Sequence, residues 1–517
     1  MDNITTKLKE LLLAPIQKYL LLFAILIVFM NLSCTVFFFI NQNVYYAVQM
    51  FFVSVLVSYI TTIAICLPPP VWRNLLIFSL LPALLLTQVM QMITFSYFGV
   101  NSIGDLIAVV ACTNISELIE AFSYFPLVNV VLCLCSLLSI VVIPILLKKN
   151  ISKFQTNNKF ISITLVLCII GGICVSVHNP MIYSDTYINT VPKYFYGFKN
   201  EKPQLVYPQL IYTEEMPDNV VIIIGESFVK SHSSLYGYEK ETNPRLIALR
   251  DSGDLFVYNK AVAPYTHTVE CFKSIMSTYK REYGDSINWN ESVSIPEMMR
   301  VIGYHTSWYS NQSKKGFCDN VPSGYSDLCN ENYFVGNKYA GVFRYSFDEE
   351  IIDLLQPEVN NSKVSYNCYF VHMMGQHGPF VNRYPDGFGK FKADDYISSP
   401  ESQRKRLSEY DNATLYNDFV VCEIIKLFEE KEAIVFYFSD HGLDANLVHS
   451  NHSDVNSFKE GTNIPFMIYA TEKYQERFPD KVEFFRNTID NEIYTEDFIY
   501  LLMDVLEVKF KNNSNTK

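Results

Sequence analysis

The chain has 517 residues, which is too many for one ordinary domain, and 49% of them are hydrophobic. The net charge of −12 excludes nucleic acid as an expected partner, because binding to a phosphate backbone needs clustered lysine and arginine. The apolar residues are concentrated in residues 1–177, whereas the remainder has the composition of a soluble globular protein.

Five apolar runs, each long enough to cross a bilayer, predict a transmembrane domain over residues 1–177. The runs lie near residues 19–40, 46–66, 75–97, 124–147 and 160–177. With these spans, every lysine and arginine of the loops falls on one side of the membrane, so the positive-inside rule places the N-terminus in the cytoplasm. Because five is an odd number, the C-terminal part is then expected outside the cytoplasm.

The loop between the third and fourth predicted spans, residues 98–123, is too long for a simple turn. Within it, Thr113 and Glu117 are four residues apart and would share one face of a helix. Two interpretations stay open: a solvated amphipathic helix at the membrane interface, or a contact with a lipid headgroup beneath the C-terminal domain. The next segment, residues 178–218, is rich in proline, tyrosine and phenylalanine, which is typical of a linker lying along a membrane surface.

From residue 219 to 517, short β-branched or aromatic runs alternate with helical patterns, which predicts an α/β sandwich with a mostly parallel central sheet. We expect strands at 219–224, 303–309, 367–371, 433–438 and 465–470, and helices at 269–279 and 415–430. Sites in such sheets form at the carboxyl ends of the strands. Glu226, His377, Asp440 and His441 all follow predicted strands and should therefore meet at one edge.

Asp440 and His441 can offer an oxygen and a nitrogen to one Zn²⁺ ion, although a Ser-Asp-His-Gly tetrapeptide alone is a weak signal. Thr268 precedes an apolar face at helical spacing and therefore sits near a helix N-terminus, where free N–H groups favour a phosphate. Thr268 or Thr266 would alternatively be only a helix cap. A threonine beside a metal suggests an activated hydroxyl and transfer through a covalent intermediate.

Several motifs of the C-terminal part belong together. The principal ones are Gly225-Glu226-Ser227, Thr268, Gly375-Gln376-His377-Gly378-Pro379 and Ser439-Asp440-His441-Gly442. The others are Tyr236-Gly237-Tyr238, Thr242-Asn243-Pro244, Trp308-Tyr309-Ser310-Asn311-Gln312 and Tyr410-Asp411-Asn412. This set resembles the phosphoethanolamine transferases, inner-membrane enzymes of Gram-negative bacteria with a sulfatase-like, alkaline-phosphatase-type domain. The resemblance covers nearly the whole chain and implies five spans, a bridging segment and a periplasmic sulfatase-like catalytic domain.

The resemblance also implies which residues bind metal and which attack the substrate. The expected zinc ligands are Glu226, Thr268, Asp440 and His441. Thr268 is at the same time the expected nucleophile, with Thr266 as the alternative.

Other residues are expected around the substrate. His377 and Lys315 would lie near the transferred phosphate, with His372 behind His377, and the loop residues Thr113 and Glu117 would lie near the lipid site. The family has one more histidine after Asp-His-Gly. Here it is His452 or His449, and the distance along the chain to residues 464–466 favours His452.

The implied reaction is zinc-dependent transfer of phosphoethanolamine from phosphatidylethanolamine to lipopolysaccharide, at lipid A or a core sugar, through a phospho-threonine. The enzyme is expected to be a monomer, embedded in the bacterial inner membrane, with its catalytic domain in the periplasm. The alternatives are a glycerophosphate transferase or phosphodiesterase of the same superfamily, and a catalytically inactive sensor with the same fold. A sulfatase is not expected, because no Cys/Ser-x-Pro-x-Arg pattern surrounds Thr268.

The match to the family is looser at two places. The segment around Thr268 lacks the flanking cysteine pair of members that modify lipid A, and looks more like members that modify core sugars. Leu443 stands where an acidic residue usually follows Asp-His-Gly. Among the cysteines of the outer domain, Cys318 and Cys329 form the best candidate disulfide in an oxidising compartment.

Overall fold

The computed structural model describes residues 127–150, 203–204, 206–312, 314, 321–335, 346–443 and 455–511, with short stretches and single positions between 20 and 93. The chain divides into two compact units, and the second contains the described residues from 203 onward. Among the helices formed by described residues, none is long and apolar enough to cross a membrane. Most residues of the five predicted spans, and the whole loop with Thr113 and Glu117, lie outside the described part of the chain.

The strands of the described residues are β1 (Leu210–Ile211), β2 (Asn219–Gly225), β3 (Leu255–Val262), β4 (His305–Ser310), β5 (Glu331–Phe334), β6 (Asn367–His372), β7 (Ala433–Ser439), β8 (Asn463–Ala470), β9 (Glu492–Tyr494) and β10 (Lys509–Phe510). The α-helices are α1 (Leu127–Asn150), α2 (Pro244–Ser252), α3 (Thr268–Ile275), α4 (Ile295–Val301), α5 (Val321–Asp327), α6 (Glu350–Asn361), α7 (Glu401–Lys426), α8 (Val455–Thr462), α9 (Glu472–Arg477), α10 (Pro479–Thr488) and α11 (Phe498–Val505).

Eight of these strands form one sheet with the order β5-β4-β6-β2-β7-β8-β3-β9. β8 pairs antiparallel with both of its neighbours, β7 and β3. The other pairings are all parallel. The prediction of a mostly parallel central sheet is therefore confirmed.

β2 lies in the middle of the sheet, and all seven of its residues are buried. Val220, Ile222 and Ile224 pack into the apolar core on one face, whereas Val221 and Ile223 pack into the core on the other. This alternation explains why the strand reads as an unbroken apolar run: both of its faces are covered by packed elements rather than by water.

The five predicted strands are confirmed, with ends that differ by no more than two residues. β3 was not predicted, because exposed Asn259 and Lys260 and a register shift between Tyr258 and Ala261 interrupt its alternation. The helix expected at 269–279 begins at Thr268 but ends at Ile275. Two residues beyond the helix, Ser277 pairs with Ser294 in an isolated antiparallel β-bridge.

β1 lies within the segment predicted as a linker, and it pairs antiparallel with β10 near the end of the chain. The last part of this segment is thus joined by backbone hydrogen bonds to the end of the second compact unit. The disulfide predicted between Cys318 and Cys329 is not made in this structure. Cys329 has a free, buried thiol that contacts the carbonyl of Tyr325, while Cys318 lies outside the described residues.

Replacing Ile222 by alanine tests the central position of β2. We expect Ile222→Ala to lower the free energy of unfolding by roughly 2–5 kcal/mol, because the side chain is fully buried and its removal leaves a cavity. The matched control is Ile211→Ala on β1, whose side chain is 58% exposed. Denaturant unfolding of both variants checks this, and equal losses of stability would contradict the packing described above.

Candidate active site

The candidate site forms where neighbouring parallel strands end. Gly225 at the end of β2 is in register with Ser439 at the end of β7. Glu226 directly follows the first of these strands, and Asp440 and His441 directly follow the second. The predicted convergence of these residues at one edge of the sheet is observed.

Glu226, Asp440 and His441 form a buried cluster whose potential ligand atoms all lie within 4.8 Å of one another. Nε2 of His441 is 3.2 Å from Oε1 of Glu226 and 3.7 Å from Oδ2 of Asp440. Thr268, the first residue of α3, donates from Oγ1 to Oε2 of Glu226 at 2.9 Å and lies 3.3 Å from Nε2 of His441. The structure thus brings together the four residues predicted as zinc ligands.

In this cluster two buried carboxyl groups, of Glu226 and Asp440, lie beside one imidazole, that of His441, and each group shifts the pKa of the others. Burial and the charge of Glu226 raise the pKa of Asp440. Burial would also raise the pKa of Glu226, but the charge and hydrogen bond of His441, with a smaller contribution from His377, hold it well below its usual value. Burial would lower the pKa of His441, but Asp440 and Glu226 raise it to about 9.

The donor set fits a divalent cation such as Zn²⁺, which takes carboxylate oxygen and imidazole nitrogen. Oδ2 of Asp440 is buried, and no described residue makes a hydrogen bond to it. Nδ1 of His441 lies 2.8 Å from the carbonyl oxygen of Gly442, which leaves Nε2 to face the two carboxylates. A bound cation would complete this arrangement of an oriented imidazole and a buried oxygen that receives no hydrogen bond from the described residues.

Two residues that contact Glu226 had no role in the sequence prediction. Ser227 donates from Oγ to Oε1 of Glu226 at 2.7 Å. Gln312 donates from Nε2 to Oε2 of Glu226 at 3.3 Å and to the carbonyl of Met373 at 3.1 Å. Both residues belong to motifs that the sequence analysis lists. Gln312 lies two residues after the end of β4, and this position after a strand could have indicated a site residue.

His377 is held near the cluster by the turn that follows β6. Gly375 in this turn has φ +48°, and a Cβ there would lie 2.8 Å from both N and O of Glu226. Asp348 accepts hydrogen bonds from the N–H groups of Met374 and Gly375, both at 2.8 Å. The turn therefore packs directly against the backbone of Glu226.

Two further residues predicted at the site, His372 and Thr266, are both buried. His372 is buried beneath it, with its ring 4.9 Å from that of Phe272, and no described residue bonds to its Nε2. Burial lowers the pKa of His372 to about 4, so it is neutral at neutral pH and is not suited to act as an acid. Thr266 is buried, with Oγ1 3.1 Å from Nδ1 of His267. The remaining predicted site residues, Lys315, His449, His452, Thr113 and Glu117, lie outside the described residues.

Comparison with known proteins decides the family. The family model described as Sulfatase matches residues 218–508, more than half of the chain. The chain belongs to the sulfatase family. The matched residues of this sulfatase-family chain include every strand from β2 to β9 and all four residues of the candidate metal site.

Relatives of this sulfatase-family chain confirm its resemblance to the phosphoethanolamine transferases. It is 28% identical over 312 residues to phosphoethanolamine transferase EptC of Escherichia coli K12, covering 58% of this chain and 53% of EptC. The chain thus spans about half the length of that relative.

Two solved structures are similar as well. The C-terminal periplasmic domain of EptC from E. coli, in complex with Zn, is 26% identical with a TM-score of 0.52, covering 59% of this chain and 86% of that one. The integral membrane protein lipooligosaccharide phosphoethanolamine transferase A of Neisseria meningitidis covers 94% of this chain and 95% of its own, with a TM-score of 0.66. At 18% identity, this second likeness shows the fold alone.

Substitution of Gly375 tests the contact between the turn and Glu226. Gly375→Ala and the control Gly253→Ala both place a side chain at positive φ, which costs roughly 1–2 kcal/mol, but only Gly375→Ala also clashes with Glu226. We expect Gly375→Ala to lower the melting temperature further and to weaken Zn²⁺ binding, whereas Gly253→Ala leaves Zn²⁺ binding unchanged. Calorimetry and zinc titration check this, and equal behaviour of the two variants would contradict the packing.

Asp440→Asn tests the cation site. Because Oδ2 of Asp440 is buried and receives no hydrogen bond from the described residues, we expect the metal-free variant to be at least as stable as the parent chain. Zn²⁺ at 100 times its dissociation constant should stabilise the parent chain by about 2.7 kcal/mol, and this gain should be lost in Asp440→Asn. Melting curves with and without Zn²⁺ decide the matter: a variant that keeps the full zinc-induced shift would rule out Asp440 as a ligand.

Proposed function

We propose that the chain is a zinc-dependent transferase that moves phosphoethanolamine from phosphatidylethanolamine to lipopolysaccharide, at lipid A or a core sugar. The observation that carries this proposal is the hydroxyl of Thr268, which donates at 2.9 Å to Glu226 within the buried carboxylate and imidazole cluster. A hydroxyl in that position is suited to become a nucleophile. An ordinary helix-capping threonine would instead accept from backbone N–H groups.

In this proposal Glu226, Thr268, Asp440 and His441 hold the zinc ion. When bound, zinc supplies positive charge that lowers the pKa of a nearby hydroxyl and stabilises charge on phosphoryl oxygens. Thr268 Oγ1 forms the bond to phosphorus as it releases its proton, and the hydrogen bond from Oγ1 to Oε2 of Glu226 orients the hydroxyl for this attack. The bond from phosphorus to the glyceride oxygen breaks, and this oxygen takes up the proton that Thr268 released, so that diacylglycerol leaves.

The second step regenerates the threonine. A hydroxyl or phosphate oxygen of the acceptor attacks the phosphorus, and the bond from phosphorus to Thr268 Oγ1 breaks. Oγ1 takes up the proton of the acceptor hydroxyl or, for a phosphate acceptor, a proton from solvent. We propose that His377, held beside Glu226 by its turn, and Lys315 bind the phosphoryl oxygens during both steps. The first turn of α3 adds backbone N–H groups that favour an anion, since Thr268 is the first residue of that helix.

The surroundings proposed for this reaction are the bacterial inner membrane and the periplasm. We propose a transmembrane domain over residues 1–177, a linker over 178–218 and a periplasmic catalytic domain over 219–517, acting as a monomer. His452, with His449 as the alternative, and the loop residues Thr113 and Glu117 would contact the substrates. The names of the relatives support the transferred group, and one of them is an integral membrane protein named for lipooligosaccharide.

Trapping the covalent intermediate tests this proposal. The zinc-loaded full chain, incubated with phosphatidylethanolamine, should acquire the mass of phosphoethanolamine on the peptide that contains Thr268. Thr268→Ala should acquire none, whereas the neighbouring control Thr266→Ala should retain the adduct. An adduct that persists in Thr268→Ala, or a zinc-loaded chain that forms none, would overturn the proposal.

A further inference from the structure

The residue that follows Glu226 has an unusual backbone conformation. Ser227 has φ +56°, in the left-handed region that residues other than glycine rarely adopt. From this conformation its side chain donates to Oε1 of Glu226 at 2.7 Å, and its N–H points to Oδ1 of Asp440 at 3.4 Å. The backbone at Ser227 therefore helps to set the direction of both carboxylates of the candidate metal site.

A single tyrosine hydroxyl spans this strained residue. Tyr410, in the middle of α7, is fully buried. Its hydroxyl donates to the carbonyl of Ser227 at 2.7 Å and accepts from the N–H of Val229 at 2.6 Å. It thus satisfies one backbone group on each side of Phe228. Burial raises the pKa of Tyr410 well above its usual value, so the hydroxyl keeps the proton that it donates.

The helix that carries Tyr410 also makes hydrogen bonds to residues that follow the loop 227–229 in sequence. Asp411, the next residue, accepts from the Nδ1 side of His232 at 2.7 Å and from the hydroxyl of Tyr238 at 2.8 Å. The hydroxyl of Tyr396 also donates to Asp411. Phe380 packs edge-on against the ring of Tyr410, with ring centroids 4.9 Å apart. These contacts fix the position of Tyr410, so its hydroxyl would not shift with residues 227–229 if their backbone changed conformation.

We propose that Tyr410 is a positioning residue for the metal site: its hydroxyl holds Ser227 in the left-handed conformation that aims Glu226 at the cation. Loss of the hydroxyl lets residues 227–229 relax toward ordinary backbone angles, so Glu226 no longer meets Asp440 and His441 in the arrangement described above. The inference rests on the zinc site within the proposed function and does not depend on which group is transferred.

Tyr410→Phe removes the hydroxyl and leaves the ring. We expect the variant full chain to bind Zn²⁺ 10–100-fold more weakly, the usual effect of removing a group that orients a metal ligand. The measurement is competition for Zn²⁺ against a chelating dye. At saturating Zn²⁺ the phospho-threonine adduct should return in Tyr410→Phe, whereas it should stay absent in Thr268→Ala.

Tyr236→Phe is the matched control. The hydroxyl of Tyr236 also donates to a backbone carbonyl and accepts from a backbone N–H, both of Phe466, at 3.1 and 3.0 Å. Its removal costs the same two kinds of hydrogen bond away from residues 226–229. We expect both variants to melt at lower temperature and only Tyr410→Phe to lose zinc affinity.

The zinc affinities of Tyr410→Phe, Tyr236→Phe and the parent chain decide whether Tyr410 positions the metal site. Unchanged zinc affinity in Tyr410→Phe, or an equal loss in Tyr236→Phe, overturns the inference, since the effect would then be absent or general. A parent chain that binds no zinc overturns it as well. A parent chain that binds zinc but forms no adduct sinks only the transfer reaction, and the affinity comparison still decides the role of Tyr410.

Discussion

Two carboxylates, Glu226 and Asp440, are buried side by side at the ends of adjacent parallel strands, and the rest of the site is organised around them. A buried charge is strongly destabilising unless it is paired. His441 supplies one positive charge, which keeps Glu226 ionised while Asp440 is driven toward its protonated form. A divalent cation would supply the positive charge needed to pair with both carboxylates. Burial of the two carboxylates therefore lowers the stability of the metal-free chain and at the same time favours binding of a metal ion.

Keeping such a pair together requires contacts from distant parts of the chain. Gln312 reaches Glu226 from the end of β4, the turn at Gly375 lies against its backbone, and Tyr410 spans the loop that follows it. Each contact comes from a different strand end or helix. The carboxylate of Glu226 is therefore held by the tertiary structure as a whole, which suits a ligand that must not move when charge develops on a substrate.

The elements that carry these residues differ in how well their sequences reveal them. β2 and β7 are unbroken apolar runs followed directly by polar ligand-type residues, so both the strands and the site residues after them could be predicted. β3 escaped prediction because exposed residues and a bulge break its pattern. Asp348 gave no signal at all, since nothing in its neighbourhood shows that it binds the turn before His377.

By itself, the sequence determined the α/β class, the mostly parallel sheet and the placement of Glu226, Asp440 and His441 directly after strands. These depend on local periodicity and on residue types, whereas the resemblance to a known family added Thr268 to the predicted metal ligands. Only the tertiary structure decided that Thr268 reaches Glu226, 42 positions away, and that the backbone of Ser227 is bound by Tyr410, 183 positions away. Such contacts depend on the order of the strands in the sheet and on how α7 packs against it. Local sequence patterns, which repeat every two to four residues, do not reveal the strand order or the packing of α7.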